Sequence, residues 1–109
     1  MHCPKCRKTD LGATTVQDIT VDRCPDCAGI WFDERELAHL LRLTARDLKP
    51  LRGGATDSQR DEAPGDCPRH QVRMVRMQSA SNSAVVLDTC LECRGIWLDG
   101  GELDALLAS

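Results

Sequence analysis

The sequence predicts a small metal-stabilised α+β protein made of two copies of one module. Each copy is a β-hairpin that carries two metal-binding knuckles and is followed by a short helix. Three observations lead there. The chain has 109 residues and seven Cys, six of them in Cys-x-x-Cys pairs. A long stretch of its second half repeats the first. Its apolar stock is also thin: 41% of residues are hydrophobic, but Cys and Ala supply many of these, and only Trp31, Phe32 and Trp97 are aromatic. A core that small usually needs metal, disulfides or oligomerisation to hold it.

The repeat is explicit. Cys24-Pro25-Asp26-Cys27-Ala28-Gly29-Ile30-Trp31-Phe32-Asp33 returns as Cys90-Leu91-Glu92-Cys93-Arg94-Gly95-Ile96-Trp97-Leu98-Asp99. Glu36 and Leu37 return as Glu102 and Leu103, and Leu40 and Leu41 as Leu106 and Leu107. Upstream, Cys3-Pro4-Lys5-Cys6 matches Cys67-Pro68-Arg69-His70. Self-similarity on this scale marks a duplicated structural unit. The predicted organisation is a first module over 1–48, a linker over 49–65 and a second module over 66–109.

Within each module the elements follow in the same order. After the first knuckle, Thr14-Thr15-Val16 and Ile19-Thr20-Val21 flank the polar pair Gln17-Asp18. Residues 72–77 and Val85-Val86-Leu87 flank a Ser/Asn/Ala tract. Both read as β-hairpins whose second strand delivers the second knuckle. Asp33 and Asp99, each with Glu three residues on, match a capping box with Asp as N-cap. Leu37, Leu40 and Leu41, like Leu103, Leu106 and Leu107, then form the apolar stripe of a short helix. The first helix is expected to reach about Leu48, because Pro50 disfavours a helical Lys49. Residues 52–65 are small, polar and charged, which predicts a flexible linker.

Cys3, Cys6, Cys24 and Cys27 have the spacing of a structural zinc site. Two residues between ligands let a tight turn aim both sulfurs at one ion about 2.3 Å away, while backbone N–H groups hydrogen-bond the thiolates. Cys67, His70, Cys90 and Cys93 make the second set, a Cys₃His site with the repeat-matched His70 as fourth ligand. Seven Cys and one His supply the eight ligands that two tetrahedral ions need, so two Zn²⁺ per chain are expected. Iron suits a mixed Cys₄ and Cys₃His pair less well. His2 and His39 have no place in either set. Four protein ligands per ion leave no open coordination position, which predicts structural rather than catalytic metal.

Charge and apolar pattern exclude several classes. There is no apolar run near the ~20 residues of a membrane span and no apolar segment behind the N-terminus of the kind a secretory signal needs. A cytoplasmic location follows as the expectation, where so many Cys mean metal or thiol chemistry rather than disulfides. Fourteen basic residues face seventeen acidic ones, a formal charge of −3 spread evenly along the chain. Zinc on four thiolates adds −2 and zinc on three adds −1, so the loaded protein reaches −6. That balance argues against nucleic acid, whose affinity rests on phosphate contacts, unless Arg69, Arg73, Arg76 and Arg94 cluster.

The string Cys-x-x-Cys-x-Gly-Ile-Trp-x-Asp-x-x-Glu-Leu, preceded by a Cys-Pro-x-Cys knuckle, resembles the transcription factor IIB-like zinc-finger family of small zinc-ribbon proteins. The resemblance spans residues 2–42 and 66–107. It implies tandem zinc ribbons, with Cys3, Cys6, Cys24 and Cys27 as zinc ligands. His70 departs from the family pattern, which has Cys there. A shared ribbon does not by itself carry a shared function.

In the Gly-Ile-Trp segment, Gly29 and Gly95 are expected to adopt backbone angles that let the chain leave the knuckle. Ile30, Ile96, Trp31 and Trp97 are expected to cover the metal site and pack on the helix. The competing expectation gives Trp31 and Trp97 an exposed, partner-binding role. No nucleophile triad, phosphate loop or paired carboxylates in a cleft are evident, so the sequence reads as a non-enzymatic zinc-binding adaptor that contacts a protein partner, in transcription or its regulation. Two alternatives stay open: direct nucleic-acid binding, and a thiol or metal-handling redox role.

Overall fold

The computed structural model describes residues 1–7, 9–33, 35–40, 42, 43, 48, 51, 65–78 and 86–107. The first half supplies strands β1 (Gly12–Val16), β2 (Ile19–Arg23) and β3 (Ile30–Phe32), then helix α1 (Glu36–Leu40). The second supplies β4 (Val75–Gln78), β5 (Val86–Thr89), β6 (Ile96–Leu98) and helix α2 (Glu102–Leu107). The first hairpin forms where the sequence places it; in the second half β4 and β5 pair antiparallel, but β4 starts three residues later than expected and β5 runs two residues further. Gln17 and Asp18 turn the first hairpin with φ of 49° and 67°, the two positive angles of a tight turn whose twist suits antiparallel strands.

The third strand of each half was not legible as a strand, and it decides the architecture. The six strands make one antiparallel sheet in the order β1-β2-β3-β6-β5-β4. At its centre β3 pairs with β6, with Ile30 opposite Leu98, Trp31 opposite Trp97 and Phe32 opposite Ile96. The two modules are therefore halves of a pseudo-two-fold sheet whose axis passes between the tryptophans. An interface of this kind is isologous: the same patch of each half meets its own copy.

Side chains alternate across a strand, so the short central strands serve two cores. Ile30, Phe32 and Leu98 face the helices and join Val16, Val21, Leu37, Leu40, Leu103 and Leu106. Leu48 and Leu51 are buried in that same cluster. Trp31 and Trp97 face the other way, among Cys3, Cys24, Cys27, Cys67, Cys90 and Met74. The expectation that isoleucine and tryptophan together cover the metal is thus divided: tryptophan lies with the ligands and isoleucine with the helices.

The capping boxes form on their glutamate side. Glu36 Oε1 accepts from the Asp33 N–H at 2.7 Å and Glu102 Oε1 from the Asp99 N–H at 2.5 Å. After α1, the N–H groups of Arg42 and Leu43 bond the carbonyls three residues back, the tighter turn common at a helix end. The expected extension to Leu48 runs through residues 41 and 44–47, outside the described residues. Also outside them lie residues 49, 50 and 52–64 of the expected linker, the tract 79–85, and the side chain of Leu107. No helix among the described residues is long and apolar enough to cross a membrane.

Candidate metal centres

Each half carries one knuckle before its hairpin and one between its second and third strands. All four are built alike. The residue after the second ligand, Arg7, Ala28, Gln71 or Arg94, has φ between 58° and 68°. Its N–H bonds the carbonyl of the first ligand residue: Arg7 to Cys3, Ala28 to Cys24, Gln71 to Cys67 and Arg94 to Cys90. The first ligand's own N–H reaches past the turn, from Cys3 to Thr9, Cys24 to Gly29, Cys67 to Val72 and Cys90 to Gly95. These two bonds close a loop small enough to turn both ligands inward. Backbone amides also point at sulfur: Cys6 N lies 3.2 Å from Cys3 Sγ and His70 N 3.4 Å from Cys67 Sγ.

The sequence-predicted ligands come together as two sets. Cys3, Cys6, Cys24 and Cys27 form one, and Cys67, His70, Cys90 and Cys93 the other, with the ligand atoms of each set within 4.8 Å of one another. Cys3 and Cys27 sulfurs are 3.7 Å apart, Cys6 and Cys24 3.9 Å. In the second set Cys67 Sγ lies 3.8 Å from both Cys93 Sγ and His70 Nδ1. A tetrahedron with metal–sulfur bonds of about 2.3 Å has edges of about 3.8 Å. The ligand cages fit zinc. A disulfide would bring two sulfurs to about 2.05 Å, and the seven cysteines are free thiols. Each set can therefore hold one Zn²⁺, two per chain, whose chemical contribution is to tie four chain positions to one point.

The electrostatics favour a dication. The hydrogen bond between the Cys3 and Cys27 sulfurs pushes the Cys3 thiol up and brings Cys27 down to about 5. Burial, reinforced by the charge of Cys27, raises Cys6 to about 11. Burial likewise raises Cys67 to about 11, against the opposing N–H groups of His70 and Arg69. Cys90 is buried too, yet N–H groups of Cys93 and Glu92 bring it below the usual thiol range. Protein groups thus favour the thiolates of Cys27 and Cys90, and the charge of a bound dication favours ligand thiolates in general.

The sets differ in cover. Cys3, Cys24 and Cys27 are buried and Cys6 half-buried, whereas His70 is exposed and Cys93 half-buried. His2 stands outside both sets and pairs with Asp10 at 2.8 Å on the surface. His39 is exposed near the end of α1.

Two expectations are corrected here. Trp31 and Trp97, offered as a partner-binding surface, are 1% and 0% exposed. Each binds the opposite half of the chain instead. A Cβ on Gly29 would lie 2.2 Å from Trp97 Cζ2, and one on Gly95 would lie 2.2 Å from Trp31 Cζ2. That close approach is why both positions are glycine. The backbone turn by which the chain leaves the knuckle, expected at these glycines, sits one residue earlier, at the positive φ of Ala28 and Arg94.

Sequence reasoning also missed a set of charges that crosses between the halves. Lys5, between the ligands Cys3 and Cys6, reaches Asp88 on β5 at 2.9 Å and Asp99 beyond β6 at 3.3 Å. All three side chains are buried, at 5%, 2% and 6% exposure. Arg69, its repeat mate, reaches Asp33 at 3.0 Å in a half-exposed pair. Asp99 also accepts the Trp97 Nε1–H at 2.9 Å. Among the described residues the Trp31 Nε1–H has no acceptor. The signal was present in the repeat itself, because Lys5 and Arg69 are the matched basic residues inside the two first knuckles.

Between those first knuckles lies a cleft of about 470 Å³, bordered by His2, Pro4 and Arg7 from one half and Asp66, Pro68 and Arg73 from the other. The sequence model of the transcription factor zinc-finger family matches residues 2–43 and again residues 66–109. No curated protein and no solved structure shows significant similarity to the chain.

Proposed function

This chain belongs to the transcription factor zinc-finger family, and on that premise we propose that it is a non-enzymatic, zinc-stabilised adaptor that contacts a protein partner in transcription or its regulation. The observation that carries the reading is the closure of both ligand sets by protein groups. A zinc ion with four protein ligands has no open position for water or substrate and acts as a structural tie. What the ties hold rigid is a six-stranded sheet with two outer strands, β1 and β4. Outer strands offer backbone donors and acceptors to a partner's extended segment.

Direct nucleic-acid binding is the weaker reading. Of the arginines it would draw on, Arg69 is engaged by Asp33 and Arg73 by Asp66. A pull-down from native cell extract with zinc-loaded protein as bait tests the adaptor reading. Capture of a transcription component that survives nuclease treatment supports it. Capture that nuclease abolishes favours the nucleic-acid reading.

A further inference from the structure

We propose that the two zinc sites bind as one cooperative unit, and that Lys5 is the positioning residue that couples them. The coupling follows from where the cross-contacts start and end. Lys5 sits between two ligands of the first set, and its ammonium group is buried against Asp88 and Asp99 of the other half. Asp88 stands on β5 two residues before the ligand Cys90, and Asp99 follows β6 directly. Closing the first knuckle therefore places a cation where β5 and β6 need one, and those strands flank the second set's Cys90–Cys93 knuckle. In the reverse direction, closing the Cys67–His70 knuckle places Arg69 against Asp33, just beyond β3.

The tryptophans run the same exchange. Trp97 lies against Gly29, two residues past the ligand Cys27, and Trp31 against Gly95, two residues past Cys93. The first half's second knuckle is thus covered by an indole from the second half, and the reverse. Small zinc modules fold as they bind metal. Here neither half completes its cover without the other, so the ion that folds one set prepares the other. Two sites linked through a shared ordered element gain the same factor in affinity from each other.

The two crossings are not equal. Lys5 is held in a buried cluster with one ammonium between two carboxylates, whereas Arg69 and Asp33 remain about half exposed. Solvent screens the second pair far more. Lys5 is expected to carry the larger share.

The test is native mass spectrometry of the full chain, with zinc-loaded protein brought to equilibrium with chelator that removes half of its zinc. Two independent equivalent sites would leave half of the chains with one ion, and unequal independent sites would leave more. Coupling of the usual size, roughly 5- to 150-fold, leaves fewer than half with one ion, the remainder holding two or none. Lys5→Met is expected to raise the one-ion population, Lys5→Arg to restore the wild-type distribution, and Arg69→Met to change it less. If Lys5→Met fails to fold, Asp99→Asn removes one of the two carboxylates and is expected to raise the one-ion population in the same direction. A wild-type one-ion population at or above half overturns the coupling. A folded Lys5→Met chain with the wild-type distribution overturns the role of Lys5.

Discussion

Trp31 and Trp97 stand directly opposite each other across the β3–β6 pair, and each indole lies against the glycine that precedes the other strand. The pair is the join of the molecule. A residue type suited to recognising a partner is here used to recognise the chain's own repeat, and both are buried.

Alanine at Gly29 or Gly95 should separate this packing role from a merely conformational one. The added Cβ would fall 2.2 Å from a ring carbon held in a packed interior, and such overpacking costs about 1–3 kcal/mol. Gly12→Ala on β1 is the control, because its nearest neighbour would be an ordinary contact at 3.8 Å. Thermal unfolding of zinc-loaded protein is expected to show a clear loss for the first two and little change for the third. Equal small effects at all three would contradict the packing seen at the join.

His70 should be required as a ligand, not as histidine. His70→Cys recreates the Cys3–Cys6 knuckle and is expected to keep two zinc ions. His70→Ala removes a group whose Nδ1 lies 3.8 Å from Cys67 Sγ and is expected to lose one ion, measured by elemental analysis. Retention of both ions by the alanine variant would mean that another group completes the set.

How far the sequence reached is clear from these two cases. The eight ligands, the first hairpin and the glutamate side of each capping box depend on residues near one another in the chain or on a repeated spacing, and all were legible. The β3–β6 pairing depends on how one half meets the other, which periodicity within a three-residue strand cannot encode. For the same reason the glycines were assigned a local backbone role when their neighbour is a ring sixty-eight residues away, as in Gly29 and Trp97. The left-handed residues of the knuckles were missed because Arg7, Ala28, Gln71 and Arg94 are not the residue types that usually signal that conformation.

Asp99 should titrate unusually high. Burial raises its carboxyl to about 6, Asp88 adds to the rise, and the Trp97 N–H and Lys5 oppose it. Between about 4 and 6 the folded chain then holds a proton that the unfolded chain has released. This group's contribution to stability is present in full below about 4 and lost as pH rises through about 6. Carbon-detected NMR of the side-chain carboxyl is expected to give a midpoint near 6, with zinc content followed in parallel. A midpoint near 4 would mean the Lys5 cluster is more solvated than the structure shows.

Nucleic acid should not bind the zinc-loaded protein at physiological salt, where even non-specific binders reach roughly 10⁻⁴–10⁻⁶ M. Fluorescence anisotropy with random duplex and single-stranded oligonucleotides checks this. Salt-sensitive micromolar binding would promote the nucleic-acid reading over the adaptor.

Metal content tests the two-site scaffold most directly. Structural zinc in small modules contributes about 10–16 kcal/mol of apparent binding free energy at neutral pH, far more than any side-chain contact at the join. Elemental analysis of the purified chain is expected to give two zinc ions per molecule, and stripping them with a strong chelator is expected to abolish the folded far-UV spectrum. One ion per chain, or a spectrum unchanged after both are removed, would contradict a sheet held together by two metal centres.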